Sequence, residues 1–138
     1  MQFTLENSGA GNLFRGYEAG AVRIGERTLR RSCLVTVDRV VEDWRPVTVA
    51  ELRPDDAAAV LALEPEIVLL GTGTRQEFPP AAFRQAFAAR GVGLDVMDVG
   101  AACRTFNVLV QEERRVLAAL LLDPRGGASA DREKTQGE

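Results

Sequence analysis

Two segments of this sequence carry groups that chemistry can use. The first is Gly71-Thr72-Gly73-Thr74-Arg75, directly after the apolar run Ile67-Val68-Leu69-Leu70. Glycines at the carboxyl end of a buried strand let backbone amides approach a ligand, and Arg75 adds a positive charge. The segment therefore reads as a cradle for a small anion such as phosphate or a carboxylate. It lacks the Gly-Lys-Ser/Thr ending of a phosphate loop and the third glycine of the dinucleotide fingerprint, so nucleotide binding is poorly supported. The plainer reading is a tight turn beneath a packed helix.

The second segment is Gly100-Ala101-Ala102-Cys103-Arg104-Thr105-Phe106-Asn107. On a helix, Gly100, Arg104, Asn107 and Gln111 fall along one face, with Cys103 at the edge of the apolar face. If that helix begins near the Gly71 loop, its amino end and Arg104 favour a thiolate at Cys103. A nucleophile also needs a base. The chain has no histidine, so the base would be a carboxylate such as Asp98 or Asp95. Against this stands Cys103 as a small inert core residue and Arg104 as a surface or ion-paired arginine. No catalytic residue is assigned on these grounds.

Composition narrows the classes further. The chain has 138 residues, 17 Lys and Arg against 20 Asp and Glu, and a net charge of −3. Its 46% hydrophobic and 27% charged content suits one domain with a real core. The missing histidine removes the commonest general base and zinc ligand, and Cys33 and Cys103 have no CxxC spacing, so no metal site, cofactor or disulfide framework is expected. An acidic balance argues against nucleic acid or an anionic membrane as the main partner. The first residues show no basic or apolar leader and no run is long enough to span a bilayer, so a cytoplasmic protein without membrane insertion is expected.

The elements that must position the two segments follow from periodicity. Residues 1–11 read as a flexible lead-in, 12–122 as a single α/β domain, and 123–138 as a disordered tail. Residues 13–17, 21–24 and 32–37 are β-branched or aromatic runs separated by Gly20 and Gly25-Glu26, and predict an antiparallel meander. Pro54, Asp55 and Asp56 open a helix running to about Leu63. Residues 67–70 form a buried strand, Pro79-Pro80 opens a helix with Phe83 and Phe87 one turn apart, and Gly91 ends it. A strand at 94–97, a helix from about 99 to 112 and a strand at 115–122 complete a β-α-β-α-β series, for which a three-layer sandwich is expected. Trp44 and Tyr17 are single members of their types, and their amphipathic rings suit either the core or an interface anchor; the core is expected. Residues 112–115 fit a solvated turn.

The runs Ile67-Val68-Leu69-Leu70-Gly71-Thr72-Gly73, Ala102-Cys103-Arg104-Thr105-Phe106-Asn107 and Glu113-Arg114-Arg115-Val116 with its Ala-Leu continuation resemble a domain family of unknown function. That family, of Mth-type three-layer α/β fold, includes the mitochondrial respiratory complex I assembly factor three and the adipogenesis-associated domain protein. The resemblance covers residues 12 to 122, with Gly16-Tyr17, the early hairpin and Trp44 fitting its amino half. It implies a central mixed five-stranded sheet with helices on one side and a small β layer plus helix on the other, and no established enzymatic activity. It carries the glycine loop over to Gly71, Thr72 and Gly73, and an arginine-threonine-aromatic-asparagine run to Arg104, Thr105, Phe106 and Asn107. Phe106 stands where tyrosine is more usual, which removes a hydroxyl. The sequence shows no transit peptide, which separates it from the mitochondrial member and makes complex I assembly an analogy.

The expectation is thus a non-catalytic protein-interaction or assembly-type domain with an unidentified protein partner and an open oligomeric state. A small-anion pocket would draw on Gly71, Thr72, Gly73, Thr74, Arg75, Cys103, Arg104 and Asn107. The rival is a small enzyme with Cys103 as nucleophile in that pocket.

Overall fold

Short runs of aromatic and β-branched residues between glycine turns build the first layer. In the computed structural model, which describes residues 11–124, these are β1 (Phe14–Glu18), β2 (Ala21–Ile24) and β3 (Arg27–Leu29), an antiparallel three-stranded sheet. Gly20 and Gly25 hold the two turns at φ of +79° and +59°, where a side chain is strained. Patterning assigns residues 32–37 to this sheet, but the structure closes it with β3. Only Gly25 and Glu26 separate β2 from β3, so the chain doubles back at once and Leu29 pairs with Val22. Cys33–Val35 is instead β4 of the second sheet, buried at all three residues as an inner strand must be.

The second sheet is mixed and five-stranded. It adds β5 (Val40–Val41), β6 (Ile67–Gly71), β7 (Gly93–Met97) and β8 (Val116–Leu120) in the order β5-β4-β8-β6-β7. β4 runs antiparallel to β5 and β8, while β6 runs parallel to β7 and β8. Alternation along the inner strands splits the core in two. Leu34, Val68, Leu70, Leu117 and Ala119 face α1 (Pro54–Leu61) and α2 (Ala81–Ala89), where Trp44, Val60, Phe83 and Phe87 fill the space. Cys33, Val35, Leu69, Ala118 and Leu120 face α3 (Val99–Gln111) and the small sheet, against Phe14, Val22, Leu29 and Phe106. The result is the expected three-layer sandwich. The expected lead-in at 1–11 and tail at 123–138 lie, apart from Gly11, Asp123 and Pro124, outside the described residues.

Local chemistry starts each helix. Pro54 fills the first position of α1. Its third residue, Asp56, accepts the Arg53 N–H at 2.9 Å and receives Arg45 twice, Nε at 3.0 Å and a terminal guanidinium nitrogen at 2.6 Å. The Trp44 indole N–H also donates to the Asp56 carbonyl at 3.3 Å, which ties the chain before the helix to its first turn. α1 stops at Leu61, two residues before the expected end. α2 ends with Gly91 at φ of +69°. α3 is capped by Asp98, which accepts the Ala101 N–H at 2.8 Å.

Candidate functional site

The carboxyl ends of β6 and β7 and the amino end of α3 meet at one place, because the loop after β6 is stitched to both. Thr72 donates its N–H to the Met97 carbonyl at 2.9 Å, and Val99 donates its N–H to the Gly73 carbonyl at 2.9 Å. The loop folds on the Thr72 hydroxyl, which donates to the Arg75 carbonyl at 2.7 Å and accepts the Glu77 N–H at 3.0 Å. Gly73 at φ of +99° makes the bend. Gly71 lies beneath: a Cβ there would fall 2.8 Å from Leu120 Cδ2 and 3.2 Å from the Val99 Cα, so glycine seats the first turn of α3 on the sheet.

Above this loop opens a cleft of about 670 Å³. Of the sequence candidates, Thr72, Gly73, Thr74 and Arg75 line it; Gly71, Cys103, Arg104 and Asn107 do not. Its other walls are residues 17–20, 47–49, 98–100 and 121–123. Sequence reasoning missed the wall at 47–49, which has no periodic pattern, and Tyr17. Expected in the core, Tyr17 is 47% exposed because its ring lies across Gly100 instead: a Cβ at Gly100 would fall 2.5 Å from Tyr17 Cε2. The Arg104 guanidinium hydrogen-bonds the Tyr17 hydroxyl and lies 5.6 Å from its ring centroid, so the aromatic is held from two sides. The signal was legible as a glycine and an arginine one helical turn apart, but nothing in the sequence named the ring they hold. Trp44, by contrast, is buried as expected.

The charges of the cleft run against its anion reading. Among the described residues, Glu18, Glu77 and Asp98 line it beside one cation, Arg75, whose Nε is 3.7 Å from Glu77. The helix end that would greet an anion is already met by the Asp98 carboxylate.

Cys103 is 2% exposed, in the core shared by the main sheet, α3 and the small sheet. Burial pushes its thiol up to about 12; Arg104 pulls the other way without prevailing, and Asp98 pushes further up. The amino end of α3 does sit beside the Gly71 loop, yet desolvation overrides it. Of the carboxylates weighed as its base, Asp98 is engaged as the helix cap and Asp95 is exposed on β7. In the native state at pH about 8, labelling of Cys103 by an aromatic disulfide is expected at least about 100-fold slower than in denaturant. Rapid labelling with a midpoint below the ordinary thiol value would restore the nucleophile.

Asn107 faces away from the cleft. Its side-chain oxygen accepts the Phe14 N–H at 2.9 Å and its amide donates to the Phe14 carbonyl at 2.8 Å, so one residue of α3 pairs with β1 as a neighbouring strand would. Phe106 beside it is buried, edge-on to Phe14 with centroids 5.1 Å apart, in surroundings that suit a phenyl ring without a hydroxyl. Among the described residues, no helix is long and apolar enough to cross a membrane, and no group of three or more His, Cys, Asp or Glu side chains is placed to hold a metal ion.

This architecture and its sequence have relatives. The chain is 34% identical over 115 residues to the human protein named NADH dehydrogenase [ubiquinone] 1 alpha subcomplex assembly factor 3, a match covering 82% of this chain and 61% of the human protein. The chain thus spans less than two thirds of that relative. An NMR structure of a Xanthomonas campestris protein superposes with a TM-score of 0.77 at 36% identity, covering 90% of this chain and 94% of the other. A Bordetella pertussis protein described as an Mth938-like domain follows at 0.72 and 26%, covering 89% and 93%. The family model described as protein of unknown function (DUF498/DUF598) matches residues 14–121, and with the three-layer fold and its glycine loop on β6 the chain belongs to that family.

Proposed function

We propose that this chain is a non-catalytic protein-binding module of the assembly-factor kind, and that its partner docks at the cleft over the Gly73 loop. The observation that carries this reading is the construction of Tyr17. A large amphipathic ring, half in solvent and braced by Gly100 and Arg104, offers contact area with little rotamer entropy left to lose. The carboxylates around it suit a partner segment bearing basic side chains better than a free anion. The human relative is named an assembly factor, which supports a binding role. The buried thiol with its pKa raised to about 12 counts against the enzyme reading.

Affinity capture of the full chain from native extract, read by mass spectrometry, tests this. A stoichiometric protein partner is expected with the wild type, with retention reduced about 10-fold or more by Tyr17→Ala and unchanged by Arg90→Ala, an exposed residue at the end of α2 that precedes the amino end of β7, away from the cleft. Recovery of the bare chain, together with turnover in a metabolite screen that one substitution abolishes, would overturn it.

A further inference from the structure

The main sheet ends in two unlike edges. β5 is two residues long and offers little to an incoming strand. β7 is five residues long, regular in register, and free of proline. Its inner groups are engaged: the Gly93 N–H donates to the Glu66 carbonyl at 3.4 Å, and the Met97 carbonyl accepts from Thr72. Alternation then turns the backbone of Leu94 and Val96 outward. The Val96 carbonyl accepts from Gln76 Nε2 at 2.8 Å, and just before the strand the Val92 N–H donates to the Phe87 carbonyl at 3.0 Å. Among the described residues, no strand pairs with the Leu94 N–H and carbonyl or with the Val96 N–H.

This set of groups is complementary to itself. We propose that the outer edge of β7 is a self-association surface on which a second copy of this chain adds its own β7, antiparallel and centred on Leu94. A twofold axis there sets the two Leu94 residues opposite each other to exchange both N–H···O bonds, and brings each Val96 N–H to the Val92 carbonyl of the other copy. The remaining pair in that register, the Val92 N–H and the Val96 carbonyl, is bonded within each copy to the Phe87 carbonyl and Gln76 Nε2, so the exposed Gln76 side chain swings aside as the strands close. Side chains agree with the backbone. Asp95 falls opposite Gly93, whereas centring on Asp95 would set two carboxylates face to face in the closest pair. On the opposite face Val92, Leu94 and Val96, each partly buried against the α1–α2 core, meet their counterparts and extend it. The association needs no other protein, so it stands or falls apart from the assembly reading.

Sedimentation equilibrium on the full chain, from micromolar to millimolar, reads the outcome. The mean mass is expected to rise from 15.0 kDa toward twice that value. Gly93 tolerates a side chain, since a Cβ there meets nothing closer than Ile67 Cγ1 at 3.6 Å. Gly93→Asp sets a second carboxylate against each Asp95 and is expected to weaken association about 3- to 30-fold, and Gly93→Lys to strengthen it by a similar factor. Amide exchange supplies the register: Leu94 and Val96 should gain protection with concentration, and the inward Asp95 amide should not. A single 15.0 kDa species throughout, or a dimer indifferent to both Gly93 substitutions, would overturn the proposal.

Discussion

Replacing Asn107 by alanine is expected to lower the unfolding free energy by about 2–3 kcal/mol and the Tm by roughly 6–12 °C. The loss comes from the strand it serves. Phe14 stands at the irregular end of the β1–β2 pairing, where the register slips between Phe14 and Gly16, and its N–H and carbonyl both depend on the Asn107 amide. Alanine strands both groups in a half-buried site, each at a desolvation penalty of about 1–3 kcal/mol that solvent access reduces. The Phe14–Phe106 edge contact, which Asn107 helps to align, loosens as well. Asn107→Asp keeps the acceptor for the Phe14 N–H but aims a charged oxygen at the Phe14 carbonyl. That variant should be as unstable at neutral pH and recover in acid, once its carboxyl can donate. Urea unfolding with an unchanged m value checks both, and an alanine variant within about 0.5 kcal/mol of wild type would show that the pairing contributes little.

The second large effect is expected at Asp56. This carboxylate is 5% exposed and receives Arg45 through two hydrogen bonds, while the Arg45 side chain remains 45% exposed. Burial by itself pushes the Asp56 pKa up, but the Arg45 hydrogen bonds, the Arg53 N–H and the nearby guanidinium charges outweigh it and hold the group below the ordinary carboxylate value. A depressed folded-state pKa means that the associated stability is fully present above the unfolded-state pKa of about 4 and is lost as pH falls through the lower folded-state value. Asp56→Ala is expected to cost about 2–3 kcal/mol at pH 7, below the range for a wholly buried pair because Arg45 can turn to water. As pH falls through the lowered folded-state value the difference from wild type should shrink, since both chains then lack the charge. Urea midpoints measured from pH 7 down through the acid range test it; a constant difference would assign the loss to packing and capping rather than to the ion pair.

What the sequence revealed follows from what local patterning can carry. Residues 67–70 announce a strand covered on both faces because they are apolar without alternation, and Phe83 with Phe87 announces a helix because they stand one turn apart. The destination of β4 was not legible. Cys33-Leu34-Val35 suits a strand in either sheet, and only the antiparallel pairing with β8, some 85 residues on in the chain, decides which. The candidate site shows the same division. The glycine loop was visible as a local run, whereas Tyr17 depended on a partner helix far along the chain. The reactive reading of Cys103 rested on the helix end and Arg104, both of which are where expected. Its burial, set by the packing of α3 against the main sheet and the small sheet, is a tertiary property that no spacing encodes.

β8 is the last strand described, yet it lies at the centre of the main sheet, between β4 and β6. On a ribosome the earlier strands therefore emerge as two disconnected ribbons, β4 with β5 and β6 with β7, each baring an apolar flank where β8 belongs. Neither can consolidate until Val116 has cleared the exit tunnel, so nascent chains stalled before that point should attract chaperones and proteases, and the domain should snap shut late and in one step.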